Sequence, residues 1–490
     1  MPPSHSAKQR ALARAPVSVP ASVQHLIAVP RLAAFPKTWF VEAQRFCPSP
    51  PRIVTDSNAI SGTSTFTPER VAVHVNAATE RALKRGQLWL FQEGVVRVRA
   101  EGKSGDIAVV YDTKNRPFAL GIYDPTSPIR VRVLHVGVGV QIDAAWMTQK
   151  VVDAAMRRQA WFTDATDGYR IVHGPGDGLP GLVADRYADT VVIKLYSAAW
   201  IPWLSVIRDA LVAQLQPERV VLRLNRQLQS APELCDGYTE GDVIYGPPLQ
   251  GVLAFRENGV VFECDPILGQ KTGFFLDQRE NRERVERLSK GKRVLNVFSY
   301  TGGFSLYAAR GGATVVVSVD ASRPAMDALE RNVALNAADP RIAQARYRNL
   351  CGDAFEIFSA LNAANERFDV LIVDPPSFAR KAAEVDGALR AYRRLARLAA
   401  PLAAPEAVVV FASCSSRVTP EAFRQTIQEG VNEAGFYLEV FGEEGHPYDH
   451  PIASGELQYL KCLFATLSPR RKSQARPARP MARSGRNERR

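Results

Sequence analysis

Residues able to do chemistry gather at four places in the C-terminal half of this 490-residue chain, each just past an apolar run. The run Ala407–Phe411 leads into Ser413-Cys414-Ser415-Ser416, one thiol among three small hydroxyls. A thiolate is a strong nucleophile, but a cysteine beside a core strand is commonly an inert small hydrophobe, so residue type alone leaves both roles open. Upstream, "VLIV" ends in Asp374-Pro375-Pro376-Ser377-Phe378. Two prolines fix a rigid extended corner that would aim the Asp374 carboxylate and the Phe378 ring into a crevice. A carboxylate or backbone acceptor beside an aromatic can hold a base by its exocyclic amine and by stacking. The plain alternative is a proline-rich strand exit. A third run, "VLNVF", opens into "SYTGGFS", where Gly302 and Gly303 let the backbone pass close to a ligand. The next run ends in Asp320, eighteen residues after Gly302, where a carboxylate can accept hydrogen bonds from ribose hydroxyls. The GxGxxG spacing that cups a dinucleotide pyrophosphate is missing from this loop.

Such residues need strands to hold them. Segments 293–298, 314–320, 368–374 and 407–413 are continuous apolar runs, separated by helical patterns near 303–311, 323–336, 384–403 and 420–434. Strands buried on both faces and alternating with helices predict a doubly wound, mostly parallel sheet over 258–467, with "QYLKCLFATL" as a last, antiparallel strand. Ligands of such sheets bind beyond the carboxyl ends of the strands, and all four motifs lie on that edge. The thiol of Cys414 is therefore expected to face the base pocket rather than the core. Short alternating runs divided by Gly, Asn, Asp and Pro predict a small all-β unit over 70–140. Residues 141–255 read as a mixed α/β region, with a helix over 143–162 and a strand at "TVVIKLYS".

Composition sets the class. Hydrophobic content of 46% and charged content of 23% suit a globular chain, and no apolar stretch nears the roughly 18 residues of a membrane span. A soluble, cytoplasmic protein with no membrane partner is expected. The net charge of +12 lies in the ends: nine basic residues and one acidic in 470–490, seven basic and two acidic in 1–60. Segments 1–65 and 468–490 are expected to be disordered, and the tail could attract phosphates without reading bases or simply be solvated. The first 65 residues share their composition with organellar transit peptides, although Pro16, Pro20, Pro30 and Pro36 break any continuous helix. Six scattered cysteines without a CxxC pair fit free thiols in a reducing compartment. His446 and His450 are four apart but flanked by prolines in a loop, so no metal site is expected.

Taken together, "VLNVFSYTGGFS", "DPPSF" and "SCSS" resemble the cofactor, target and nucleophile motifs of class I S-adenosylmethionine-dependent methyltransferases. With "RGQLWLF", "YDPTSPIRVRVL", "DGLPGLVADRY" and "KTGFFLDQRENR", the chain more closely resembles large-subunit ribosomal RNA cytosine-5 methyltransferases that carry an N-terminal PUA domain. The resemblance runs from about Arg70 to Leu467. It implies a PUA-like RNA-binding β-barrel, a central α/β domain and a Rossmann-like catalytic domain, with large-subunit ribosomal RNA as partner and a homodimer left open. Cys414 would be the nucleophile and Asp374 would orient the base, with Pro375, Pro376 and Phe378 beside it. S-adenosylmethionine would lie against Phe298, Ser299, Tyr300, Gly302 and Gly303, with Asp320 at the ribose and Asp353 near the adenine. Gln278 and Arg279 would line the site; a helix cap for Asp353 and a surface ion pair for Arg279 are the plain alternatives. Trp89 would touch RNA, although Gln87-Leu88 stand where the family often has His-Pro. Two other classes remain: a guanine-nitrogen methyltransferase, which needs no nucleophile, and a non-catalytic RNA-binding factor.

Overall fold

Alternating runs near the N-terminus and continuous ones near the C-terminus become separate sheets. The computed structural model describes residues 66–159, 162–453 and 458–470; the expectations for 1–65 and for 471–490 lie outside these. The N-terminal sheet has six strands, in spatial order Trp89–Phe91, Ile129–Val136, Pro117–Tyr123, Ile107–Tyr111, Arg70–Val75, Val95–Arg99. Its inward residues, Val71, Val73, Val110, Ile122, Val131 and Val133 among them, are buried. This unit is not all-β as expected. Ala77–Lys84 forms a helix, because Asn76 caps it by accepting from the Thr79 N–H at 2.9 Å and the segment is rich in good helix formers.

The central sheet runs in chain order, Gly168–His173, Leu182–Tyr187, Thr190–Leu195, Arg219–Leu224 and Val243–Tyr245. Helices Ala144–Gln159 and Leu204–Leu215 bury their apolar residues in the core they share with it. Trp203, fully buried, donates its indole N–H to the Gly105 carbonyl at 2.9 Å and so joins the first two domains. The expected boundary between 255 and 258 falls inside a hairpin, Leu253–Glu257 with Val260–Cys264. That hairpin is shared property: Phe255 and Phe262 lie in one cluster with Tyr187 of the central sheet and Leu306 and Tyr307 of the last domain.

The large sheet contains β1 (Arg293–Val297), β2 (Val315–Asp320), β3 (Arg346–Cys351), β4 (Phe368–Val373), β5 (Ala403–Ser413), β6 (Phe436–Glu444) and β7 (Lys461–Pro469). Their order is β3-β2-β1-β4-β5-β7-β6; β3 through β5 are parallel, and β7 is inserted antiparallel between β5 and β6. The chain reverses direction in the sheet at β1, so β1 and β4 flank the switch point at which ligands bind. Among the described residues no helix is long and apolar enough to cross a membrane.

The loop between β6 and β7 fastens this domain to the central one. Asp449 is fully buried, and its carboxylate accepts from the Arg170 N–H at 3.0 Å, Arg279 at 2.6 Å and His450 Nδ1 at 2.9 Å. Its carbonyl accepts from Arg158 at 3.0 Å. Removing one partner of a buried ion pair typically costs ~3–5 kcal/mol. Asp449→Ala is expected to lower the unfolding free energy by that amount, read as a lower urea midpoint, and to let the two domains unfold separately. A single transition at an unchanged midpoint would show that Asp449 is not the fastener.

Candidate active site at the strand ends

Between β1 and the helix Gly303–Arg310 the chain turns through three left-handed residues, Phe298 at φ 63°, Tyr300 at 48° and Gly302 at 84°. Only glycine takes this backbone freely; each of the other two costs ~1–3 kcal/mol unless its surroundings over-determine it. Asp320, at the end of β2, supplies the constraint. Its carboxylate accepts from the Tyr300 N–H at 2.8 Å and from the Ser322 N–H at 2.9 Å. A Cβ on Gly302 would sit 2.6 Å from Leu329 Cγ, so steric room and backbone both demand glycine there.

This turn walls a cavity of about 290 Å³ that Phe298, Ser299, Tyr300, Gly303, Asp320, Asp353 and Gln278 line, together with Asp374, Pro375, Pro376 and Cys414. Gly302 stands behind the wall. Asp353 is also the helix cap, accepting from the Phe355 and Glu356 N–H groups at 2.9 and 3.1 Å. Arg279 is not in the cavity. It turns away to Asp449, between the rings of Phe162 and Tyr448, because it follows Gln278 directly at the start of a helix and so points to a different side. Neither is it the surface ion pair, being 2% exposed.

On the far side of the switch point, Gln278 donates to Asp374 at 2.9 Å. Burial, and after it the charge of Asp277, push the Asp374 carboxyl up to about 7. The Cys414 turn is tied to the Pro-Pro corner through hydroxyls. Tyr392 OH bridges Ser413 Oγ at 2.8 Å and Ser415 Oγ at 3.1 Å, and Ser415 Oγ meets Ser377 Oγ at 3.1 Å. That is what the serines around the thiol do: both neighbours of Cys414 are buried and bonded, so the thiol is the residue left at the surface of the turn. Burial first, then Asp374, push the thiol up to about 11. Phe378 is not presented as a stacking platform in this conformation; it packs edge-on against Tyr392 with ring centres 5.1 Å apart.

Cys414 also lines a second opening, a groove of about 700 Å³ where all three domains meet. Trp89 and Phe91 come from the first domain, Arg170, His173, Lys194 and Tyr196 from the second, and Lys271, Thr272, Cys414 and Tyr459 from the third. Sequence reasoning missed Lys271, Asp277 and Tyr459. Lys271 and Asp277 lie inside the quoted "KTGFFLDQRENR", but nothing in spacing tells that Tyr459 reaches Asp277 across the fold, at 2.9 Å.

The residues around the smaller cavity fit S-adenosylmethionine. The glycine turn admits close backbone approach, Asp320 stands at the end of β2, and Asp277 Oδ1 is a buried acceptor with no partner among the described residues, suited to a cationic group. Asp320, Asp353 and the Phe298–Gly303 turn would hold it. Among the described residues no cluster could hold a metal ion.

Comparison with known proteins agrees. Residues 209–440 match a family described as S-adenosylmethionine-dependent methyltransferase, and residues 73–135 match a PUA-like domain. A protein of Deinococcus radiodurans named "Ribosomal RNA large subunit methyltransferase" is 44% identical over 401 residues, 81% of this chain and 97% of that protein. One of Aeromonas salmonicida named "Ribosomal RNA large subunit methyltransferase I" is 34% identical over 397 residues, 80% of this chain and 98% of its own. Among solved structures, one described as a SAM-dependent methyltransferase from Streptococcus mutans superposes with TM-score 0.68 at 20% identity, covering 81% of this chain and all but 1% of its own 100% length, that is 99%. A methyltransferase solved with SAH superposes with TM-score 0.69 at 21% identity, over 81% of this chain and 100% of its own.

Asp320→Ala removes a charged acceptor and frees the strained turn. Loss of one charge-assisted hydrogen bond costs ~1.5–3 kcal/mol, so affinity for S-adenosylmethionine should fall roughly 10- to 150-fold in calorimetry. Unchanged affinity would place Asp320 outside the binding site.

Proposed function

This chain belongs to the S-adenosylmethionine-dependent large-subunit ribosomal RNA methyltransferases, and on that premise we propose that it methylates carbon 5 of a cytosine in that RNA through a covalent bond to Cys414. The observation that carries the reading is the position of Cys414, which lines both the cofactor cavity and the three-domain groove. The thiol is thereby open both to a nucleotide in the groove and to the cofactor cavity. A ribosomal RNA substrate supports a cytoplasmic location.

The chemistry follows from the side chains. Carbon 5 of cytosine is too weak a nucleophile to be methylated unaided. Cys414 adds as a thiolate to carbon 6 while a protonated Asp374 gives its proton to ring N3, leaving an enamine whose nucleophilic atom is carbon 5. When bound, S-adenosylmethionine supplies the activated methyl group that carbon 5 takes up. After carbon 5 gives its proton to water in the groove, the carbon–sulfur bond breaks with its electron pair returning to Cys414 sulfur, N3 returns its proton to Asp374 and the ring is restored. Gln278 fixes the carboxyl that does this, and the Ser413–Tyr392–Ser415 links fix the thiol. In the groove, Trp89 with Phe91 and Tyr196 offers rings on which unpaired bases stack, while Arg170 and Lys194 supply charge.

Cys414→Ala should abolish 5-methylcytosine formation, read by digesting methylated ribosomal RNA to nucleosides. A near-normal yield of 5-methylcytosine overturns the covalent route, and methylguanosine in its place overturns the target. The pH dependence is also set. With Asp374 at about 7 and the thiol above it at about 11, the form carrying both thiolate and protonated carboxyl is a minor one that falls off as pH drops below 7. The single-turnover rate should therefore rise with unit slope to about pH 7 and then level off. In Asp374→Asn the break near 7 should vanish and the rate should drop by ~10²–10⁴. A wild-type rate that is flat from pH 6 to 8 would remove the Asp374 proton from the mechanism.

A further inference from the structure

A thiol pushed up by burial and by Asp374 ionises more readily beside a positive charge, and one lysine shares both of its openings. Lys271 lines both the cofactor cavity and the groove, as Cys414 does, whereas its partner Asp277 opens on the cavity alone. The loop holds it under strain. Its backbone is left-handed at φ 56°, unusual for a long side chain and costing ~1–3 kcal/mol.

Central-domain residues secure that backbone from below. Lys194 Nζ donates to the Lys271 carbonyl at 2.7 Å. The next residue, Thr272, donates to Asp185 at 2.5 Å and meets Tyr187 OH at 2.9 Å. The ammonium is directed as tightly as the backbone. It pairs with Asp277 and lies over the Phe275 ring at 4.4 Å and the Tyr459 ring at 5.8 Å. Tyr459 OH donates to the same Asp277 oxygen, so the carboxylate is an anchor shared by two donors.

We propose that Lys271 is a positioning residue for the reaction, an ammonium that the central domain and Asp277 hold at the junction of the two openings to stabilise the thiolate of Cys414. The thiol proton leaves to water through the groove, and the electron pair stays on sulfur until it adds to carbon 6. This inference rests on Cys414 being the nucleophile and adds what makes it one. Of the other charged or titratable groups facing the thiol, Lys461 alone also favours its ionisation. Asp374 and Asp277 are acids that oppose ionisation, and Tyr392 OH is committed to Ser413 and Ser415. The Lys461 ammonium is coupled to the thiol, but it is held by the Ser415 and Val418 carbonyls at 2.5 and 2.9 Å and, unlike Lys271, lines neither opening.

The test reads the thiol directly, without methylation. The full-length protein is treated with iodoacetamide over a range of pH, and modification of the Cys414 peptide is followed by mass spectrometry. In Lys271→Gln the alkylation rate at pH 8 should fall about tenfold and the profile should move to higher pH; Lys271→Arg should recover most of it. Asp277→Asn removes a negative neighbour and should move the profile the other way, to lower pH, and it carries the test should Lys271→Gln fail to fold. Unchanged profiles overturn the proposal. So do equal losses in Lys271→Gln and Lys271→Arg, or a shift in the same direction for Lys271→Gln and Asp277→Asn, since each reports packing rather than charge. If Cys414→Ala retains methylation while these alkylation shifts occur, the covalent route fails and the placement of the lysine stands.

Discussion

A carboxylate taken wholly out of water persists only where donors surround it, and the architecture depends on one such group, Asp449. Burial pushes its carboxyl up; His450 and Arg279 more than reverse this and hold it well below the usual range. The donors come from separate elements: the Arg170 N–H from the central sheet, Arg279 from the helix that precedes β1, and His450 from its own loop. Desolvating such a charge costs several kcal/mol, recovered only when all of them are in place. The domains are therefore set against one another at a fixed angle rather than loosely packed. A second buried carboxylate, Asp185, repeats the device: Arg170 grips it with two bonds at 2.7 and 2.9 Å, and it accepts from Thr272.

That rigidity is what permits strain at the site. Phe298, Tyr300 and Lys271 all hold left-handed backbone, and all three line the cofactor cavity. Each is stabilised by a group from another element: Asp320 on β2 for the turn after β1, and Lys194 of the central domain for Lys271. The central domain thus braces the loop that carries Lys271.

The large sheet was legible because its strands are buried on both faces and read as unbroken apolar runs; β1, β2, β4 and β5 lie within a few residues of the runs that predicted them. β3 and β6 were not. Their sequences, RYRNLC and FYLEVFGEE, carry polar residues because they lie at the two edges of the sheet and keep an exposed side. The motif residues at strand ends were legible for a related reason, since the carboxyl edge of a parallel sheet is one place in space. Their rotational direction was not. Gln278 and Arg279 are neighbours in sequence and face opposite tasks, and Phe378 turned to Tyr392 rather than to the crevice. The groove was least legible of all, because it exists only once three domains are docked, and its Lys271–Asp277–Tyr459 contact joins residues far apart in the chain.

The chemistry of the thiol follows from where the fold must put it. On the proposed route the nucleophile for carbon 6 and the acid for N3 meet opposite corners of one ring and so share one pocket, and an acid of that kind is a carboxyl in low-dielectric surroundings, here near a second carboxylate. The same surroundings that keep Asp374 protonated also keep Cys414 protonated, so one environment opposes half of the reaction while favouring the other half. The conflict cannot be relieved by exposing the thiol, because that would solvate the acid too. It can be relieved by positive charge aimed at sulfur and away from the carboxyl. Lys271 meets this in part: its charge favours the thiolate and also acts on the Asp374 carboxyl, while its own ion-pair partner is Asp277 and Asp374 is held by the neutral amide of Gln278. At about 11 the thiol stays protonated at neutral pH, which protects it from chance alkylation and oxidation.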